Sequence, residues 1–176
     1  MGTYSELGKS RSGVVIRPAT PEDSKEIISL ILGLAEYEKL PPPDEEAQRR
    51  LLRDAFGVRP RFEIFLAEVN SRAVAYAFVF ETYSTFLALP TLYLEDIFVL
   101  PEYRGRAVGY KLMRFLAHEA HERGCGRMEW VVLDWNRPAI DFYDRLGGKH
   151  LTEWLTYRLD RDALQRLTSE DDQGDS

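Results

Sequence analysis

Between residues 91 and 123 an apolar run passes into a loop with two glycines and two arginines, and the loop opens directly into a helical pattern. The run reads Tyr93-Leu94-Glu95-Asp96-Ile97-Phe98-Val99-Leu100 and the loop Pro101-Glu102-Tyr103-Arg104-Gly105-Arg106-Ala107-Val108-Gly109. Leu112, Leu116 and Ala120 then recur on one helical face, with glycines at 124 and 126 bracketing the end. A strand, a loop, a helix and a further strand make a crossover unit, which sets helices on the faces of a sheet. The loop also has chemical content. The first amides of a helix lack carbonyl partners and carry the positive end of its dipole, so they suit a phosphate. Glycine lets the backbone approach such a ligand, and arginine adds charge-assisted contacts. Taken alone, the loop is equally a plain strand-to-helix turn with solvated arginines. It is not a Walker loop, since no Gly-Lys-Ser/Thr follows.

Residues 62–69 and 72–83 are rich in aromatic and apolar residues and are separated by Asn70-Ser71, which predicts an antiparallel hairpin. A third strand, 91–100, follows Pro90. Ahead of them, residues 14–17 form a short strand. Thr20-Pro21-Glu22-Asp23 then starts a helix with Ile27, Leu30, Ile31 and Leu34 as its buried stripe. Pro41-Pro42-Pro43 ends that helix, and Asp44 starts another with Ala47, Leu51 and Ala55 on one face. Downstream come a buried strand at 128–135 and a short helix at 137–146 closed by Gly147. Strands at 149–152 and 154–159 and a small helix at 161–167 complete the order βααβββαβαββ. The fold class is α/β (α+β): a mixed, mostly antiparallel, twisted sheet of about six to seven strands with helices on both faces. No repeat or long linker interrupts residues 14–167, so one domain is expected. Residues 1–13 read as a flexible leader and 168–176 as a disordered acidic tail.

The chain has 176 residues, 44% of them hydrophobic and 12% aromatic, enough to bury a core and too apolar for disorder. No apolar run approaches the roughly 20 residues of a membrane span, and the first residues lack the layout of a signal peptide. A cytoplasmic protein with no membrane partner is expected. Cys125 is the single cysteine, which excludes a disulfide framework and a cysteine-based metal cluster. His118, His121 and His150 make no tight ligand set, so no metal is expected. Twenty-three Lys and Arg against 29 Asp and Glu give a net charge of −6. That leaves no global attraction for nucleic acid and favours a small cationic substrate.

The loop Arg104-Gly105-Arg106-Ala107-Val108-Gly109 resembles the Arg/Gln-x-x-Gly-x-Gly/Ala signature of the GNAT superfamily of acyl-CoA-dependent N-acetyltransferases. The resemblance runs from about residue 14 to 160. It includes Ile16-Arg17-Pro18-Ala19, Leu34-Ala35-Glu36-Tyr37-Glu38-Lys39-Leu40, Tyr93-Leu94-Glu95-Asp96-Ile97-Phe98-Val99, Leu133-Asp134-Trp135-Asn136 and Phe142-Tyr143. These blocks are similar to the spermidine/spermine N1-acetyltransferase branch, and within it to the thialysine-acetylating side more than to the polyamine enzyme. One departure is Ala107, where the family loop has its central glycine. An alanine adds a methyl group where the backbone faces the pyrophosphate and requires ordinary dihedrals.

The resemblance implies acetyl-CoA as cosubstrate, the GNAT fold and a homodimer. It implies that Ile97, Phe98 and Val99 line the pantetheine arm, and that Arg104, Gly105, Arg106, Ala107, Val108, Gly109 and Tyr110 surround the pyrophosphate. Asn136, Arg137, Pro138, Ala139 and Tyr143 would also hold the cofactor, although Asn136 equally suits a helix cap. Glu95 would be the general base and Tyr143 the acid for the leaving thiolate. Strand alternation puts Glu95 on one face with Tyr93, Ile97 and Val99, and Asp96 on the other unless a bulge intervenes. A carboxylate between apolar neighbours suits such a base. Tyr37, Glu38, Glu95, Asp96, Trp135 and Glu153 would line the amine site. The turn Tyr83-Ser84-Thr85-Phe86 lacks the acid and tryptophan of the polyamine enzyme, which weakens the case for long polyamines. The expected activity is acetyl transfer to the primary amine of a thialysine-like amino acid or a diamine or polyamine. Acetylation of a protein amino group and a CoA-binding sensor without turnover are the alternatives, the latter opposed by the retention of both Glu95 and Tyr143.

Overall fold

The computed structural model describes residues 13–169. The leader and tail expected at 1–13 and 168–176 lie almost wholly outside them. Contacts divide the chain into two compact units, one through Val131 and one from Val132 onward.

The first unit holds five strands in the order β1-β2-β3-β4-β5: β1 (Val14–Pro18), β2 (Glu63–Val69), β3 (Arg72–Ser84), β4 (Leu89–Val99) and β5 (Arg127–Trp130). The first four are antiparallel and β5 lies parallel to β4. Asn70 and Ser71 both take positive φ (51° and 62°), the backbone a two-residue hairpin turn needs. Helices α1 (Ser24–Glu38) and α2 (Glu45–Phe56) precede β2, and α3 (Val108–Glu122) joins β4 to β5. Asp44 caps α2 by accepting the Ala47 amide at 2.7 Å.

Strand alternation sorts the core. Ile27, Leu30 and Ile31 of α1 and Ala55 of α2 pack with Ile64, Leu66, Tyr76 and Phe98. The opposite face carries Phe65, whose ring meets Phe115 of α3 at 5.0 Å, and the expected stripe Leu112, Leu116 and Ala120 is buried. Gly33 lets α1 lie close to β4, since a Cβ there would sit 3.0 Å from the Phe98 ring. At the far end of α3, Arg123 pairs with Glu63 of β2, Glu81 of β3 and Glu119 of α3 itself.

The second unit holds α4 (Arg137–Arg145) and α5 (Arg161–Ser169). The strands expected at 149–152 and 154–159 are not formed, and β5 stops at Trp130 rather than reaching 135. The described sheet therefore has five strands, not six or seven. Alternation marks a strand only where a ladder accepts it. The ladder of β5 to β4 ends at the pair Leu94 and Trp130, and residues 149–160 are exposed throughout, Trp154, Leu155 and Tyr157 included.

Candidate active site

The end of the β4–β5 ladder coincides with an irregularity in β4. Against β3, Ile97 pairs with Ala77 and Asp96 with Phe78, but Val79 pairs with Leu94. Glu95 is the extra residue of a β-bulge. The bulge resets the alternation, so Tyr93, which meets the Phe80 ring at 5.1 Å, falls on the face of Asp96 and Phe98. The simple alternation that grouped Glu95 with Tyr93, Ile97 and Val99 is corrected accordingly, and the bulge left open as its exception is what the register shows.

The bulge also gives the two carboxylates different surroundings. Glu95 is exposed, so the expected setting between apolar neighbours does not hold for it. Asp96 is half-buried and accepts a hydrogen bond from the Tyr76 hydroxyl at 3.2 Å. Burial pushes the Asp96 carboxyl up to about 6; the charges of Glu95 and Glu38 push the same way, and the Tyr76 hydrogen bond opposes them. Burial also raises Glu38, in the last turn of α1. Tyr76 is fully buried and was missing from the sequence-derived site. Its signal was a hydroxyl within an apolar strand, since a buried tyrosine hydroxyl usually finds a polar partner.

Beyond the bulge one edge of β4 has no ladder to β5. The Leu100 amide donates to Val74 of β3 at 2.9 Å. The Val99 carbonyl, on the same trans peptide, therefore points away from β3. By ladder alternation Ile97 and Val99 turn their N–H and C=O groups to this edge, while Phe98 turns its own to β3 and buries its ring.

A 3-10 turn at Pro101–Tyr103 leads into the loop. The first bond within α3 runs from the Lys111 amide to the Ala107 carbonyl at 3.0 Å, so Val108, Gly109 and Tyr110 have no carbonyl one helical turn earlier in α3 to receive their amides. Gly105 takes φ 71° and Ala107 φ 61°. The ordinary dihedrals expected for Ala107 are thus not what the loop uses, and a left-handed alanine costs about 1–2 kcal/mol. Arg104 and Arg106 are exposed. Arg106 lies over the Tyr103 ring at 5.5 Å, and Arg104 over that of Tyr37 at 4.4 Å.

In the second unit Asn136 is buried, and its side chain accepts the Ala139 amide at 3.4 Å as the cap of α4. Arg137, Pro138 and Ala139 form the first turn of that helix. Tyr143 is half-buried and tilted against Phe142 at 5.4 Å. Trp135 and Glu153 are exposed. Among the described residues no three His, Cys, Asp or Glu side chains are grouped to hold a metal ion, and no helix is long and apolar enough to cross a membrane.

An α/β chain whose strand β4 leaves its parallel ladder at a bulge bearing two carboxylates, and then opens through a glycine- and arginine-bearing loop into a helix N-terminus, has a place suited to an anionic ligand. The model of the acetyltransferase (GNAT) family matches residues 29–148. The chain is 37% identical over 167 residues to the thialysine N-epsilon-acetyltransferase of Sus scrofa, covering 89% of this chain and 98% of that one. It is 41% identical over 110 residues to L-ornithine N5-acetyltransferase NATA1 of Arabidopsis thaliana, covering 61% of this chain and 48% of that one. An integron cassette protein from the mobile metagenome of V. cholerae shares the fold with a TM-score of 0.78 at 22% identity, covering 89% of this chain and 98% of that one. The chain belongs to the GNAT acetyltransferase family and is an N-acetyltransferase.

Proposed function

We propose that the chain transfers an acetyl group from acetyl-CoA to the primary amine of a small diamino substrate, by direct attack in a ternary complex. A thialysine-like amino acid or a short diamine is the substrate class. The observation that carries the reading is the bulge at Glu95 and Asp96, one 3-10 turn before the loop that opens α3. The names of the thialysine and ornithine acetyltransferases and the net charge of −6 support an amine of this kind.

The residues fit acetyl-CoA. The amides of Val108, Gly109 and Tyr110 suit its pyrophosphate, with charge from Arg104 and Arg106. Gly105 leaves open space there, since a Cβ would meet nothing within 4 Å. The Ile97 and Val99 edge beside Phe98 suits the amide-bearing pantetheine arm, and the capped turn of Asn136, Arg137, Pro138 and Ala139 would hold more of the cofactor. When bound, acetyl-CoA supplies the acetyl group as a thioester. Glu95 takes the proton of the substrate ammonium through water, because only the neutral amine attacks. A backbone amide on the β4 edge polarises the carbonyl. Tyr143 supplies a proton to the leaving sulfur. Tyr37, Glu38 and Asp96 of the first unit take the amine, their carboxylates receiving the second ammonium of the substrate, and the resemblance to the family assigns Trp135 and Glu153 of the second unit to the same substrate.

Free-thiol release from acetyl-CoA tests this across thialysine, lysine, ornithine, putrescine, spermidine, spermine and a lysine peptide at pH 7–9. The small diamino compounds should react fastest. Preference for the peptide would replace the reading with protein acetylation, and silence with every amine would overturn it. The same reading includes a homodimer working in the cytoplasm, supported by exposed Trp154, Leu155 and Tyr157 and by the single cysteine. A monomer in equilibrium sedimentation would refute the dimer.

A further inference from the structure

Two side chains assigned to opposite substrates touch. Arg104, which opens the loop before α3, lays its guanidinium over the ring of Tyr37 at 4.4 Å and of Phe98 at 5.6 Å. Its Nε donates to the Val99 carbonyl at 3.0 Å. Tyr37 itself packs against the core of α1, α2 and the sheet, and the last turn of α1 is fixed by a left-handed Lys39 whose amide returns to the Glu36 carbonyl at 3.2 Å. Arg104 is thus tied to a rigid part of the molecule through one guanidinium face and one donor. Its remaining N–H groups are not used by these contacts.

We propose that Tyr37 is a positioning residue for the acetyl-CoA loop: by holding Arg104 it keeps the turn from Arg104 to Ala107 in the shape that presents the loop and helix amides to the pyrophosphate. This rests on the acetyl-CoA reading above. The loop needs such a hold. A left-handed alanine persists only where its surroundings impose that conformation. On one side the turn is fixed by the Arg104 amide donating to Pro101 at 3.2 Å, and on the other by the first bond of α3. The side chain of Arg104 ties it to α1. Without the stack Ala107 can relax toward ordinary dihedrals and turn its neighbouring amides away. Because Tyr37 also belongs to the proposed amine site, ordering at either site favours the other, and the coupling must be reciprocal.

Calorimetric binding of acetyl-CoA in the absence of any amine tests the proposal. Tyr37→Leu should weaken binding about two- to fivefold, the loss expected of an exposed cation–π contact, while Tyr37→Phe keeps the stack and the affinity. Arg104→Lys, which keeps the charge but loses the planar stack, should weaken binding as well, and Tyr37→Leu added to it should do no further harm. Acetyl-CoA affinity unchanged in Tyr37→Leu would overturn the proposal, and so would a full additional loss in the double variant. Were Tyr37→Leu to misfold, Arg104→Lys alone with undiminished affinity would also overturn it. A wild-type chain that binds no acetyl-CoA would instead bring down the cofactor reading, and the proposal with it.

Discussion

From Thr91 to Leu94, β4 is laddered on both edges, and Thr91, Leu92 and Leu94 are buried. From Asp96 to Val99 it is laddered to β3 alone, and only Phe98 is buried. Glu95 stands between the two halves as the bulged residue. The same strand therefore has two halves: where both edges are paired its backbone is committed to the sheet, and where one pairing ends the outward groups of Ile97 and Val99 lie outside the ladder, the Val99 carbonyl accepting from Arg104. The change falls within a single residue, which makes neighbouring substitutions informative.

The largest effect is expected at the bulge. Glu95→Gln should lower turnover about 10²–10⁴-fold, the usual contribution of a general base, with little change in the melting temperature. A turnover within threefold of wild type would remove Glu95 from the proton path. Leu94→Ala, one residue earlier, should do the reverse: a stability loss of about 2–5 kcal/mol in denaturant titration, with per-molecule activity of the folded fraction retained. If it instead left stability intact and abolished turnover, the division of β4 would fail.

Asp96 sharpens the contrast through pH. Its folded-state value of about 6 lies above that of an unfolded aspartate, so the native chain holds the proton longer. Stability contributed by this group is therefore present at low pH and falls as pH rises from about 4 through 6. Asp96→Asn should gain about 1–2 kcal/mol at pH 7, roughly 2–8 °C in melting temperature, and nothing from charge near pH 4. An equal gain at both pH values would refute the burial argument. The smallest effect is at Ala107: replacement by glycine relieves the left-handed strain while loosening the unfolded chain, for a net gain of about 0.5–1 kcal/mol. A loss of stability would mean the methyl group is packed in a way its exposure does not suggest.

What the sequence disclosed was what neighbours along the chain decide. The Asn70-Ser71 turn, the Asp44 cap and the α3 stripe are local, and each stands where its residues indicate. The crossover from β4 through α3 to β5 followed from those elements. What stayed hidden depends on partners far away. A bulge was open in the sequence as the exception to alternation, but only the register with β3 places it at Glu95, and Asp96 meets Tyr76 across 20 positions. Ala107 stood out in the sequence as a departure expected to need ordinary dihedrals, and only its φ of 61° shows what the exchange for glycine costs. Residues 149–152 and 154–159 read as strands, but the described structure offers them no ladder.

The ion cluster at Arg123 has a mechanical consequence for the opposite end of its helix. At 1.5 Å per residue the fifteen residues of α3 make a rod about 22 Å long. The carboxylates of Glu63 and Glu81 clamp Arg123, just past its last turn, to β2 and β3. A rod of that length tilted by about 2° around its clamped end shifts its other end by about 0.8 Å, close to the scale at which catalytic geometry fails. By resisting such a tilt, Arg123 would steady from one end of α3 the Val108, Gly109 and Tyr110 amides proposed above for the pyrophosphate at the other.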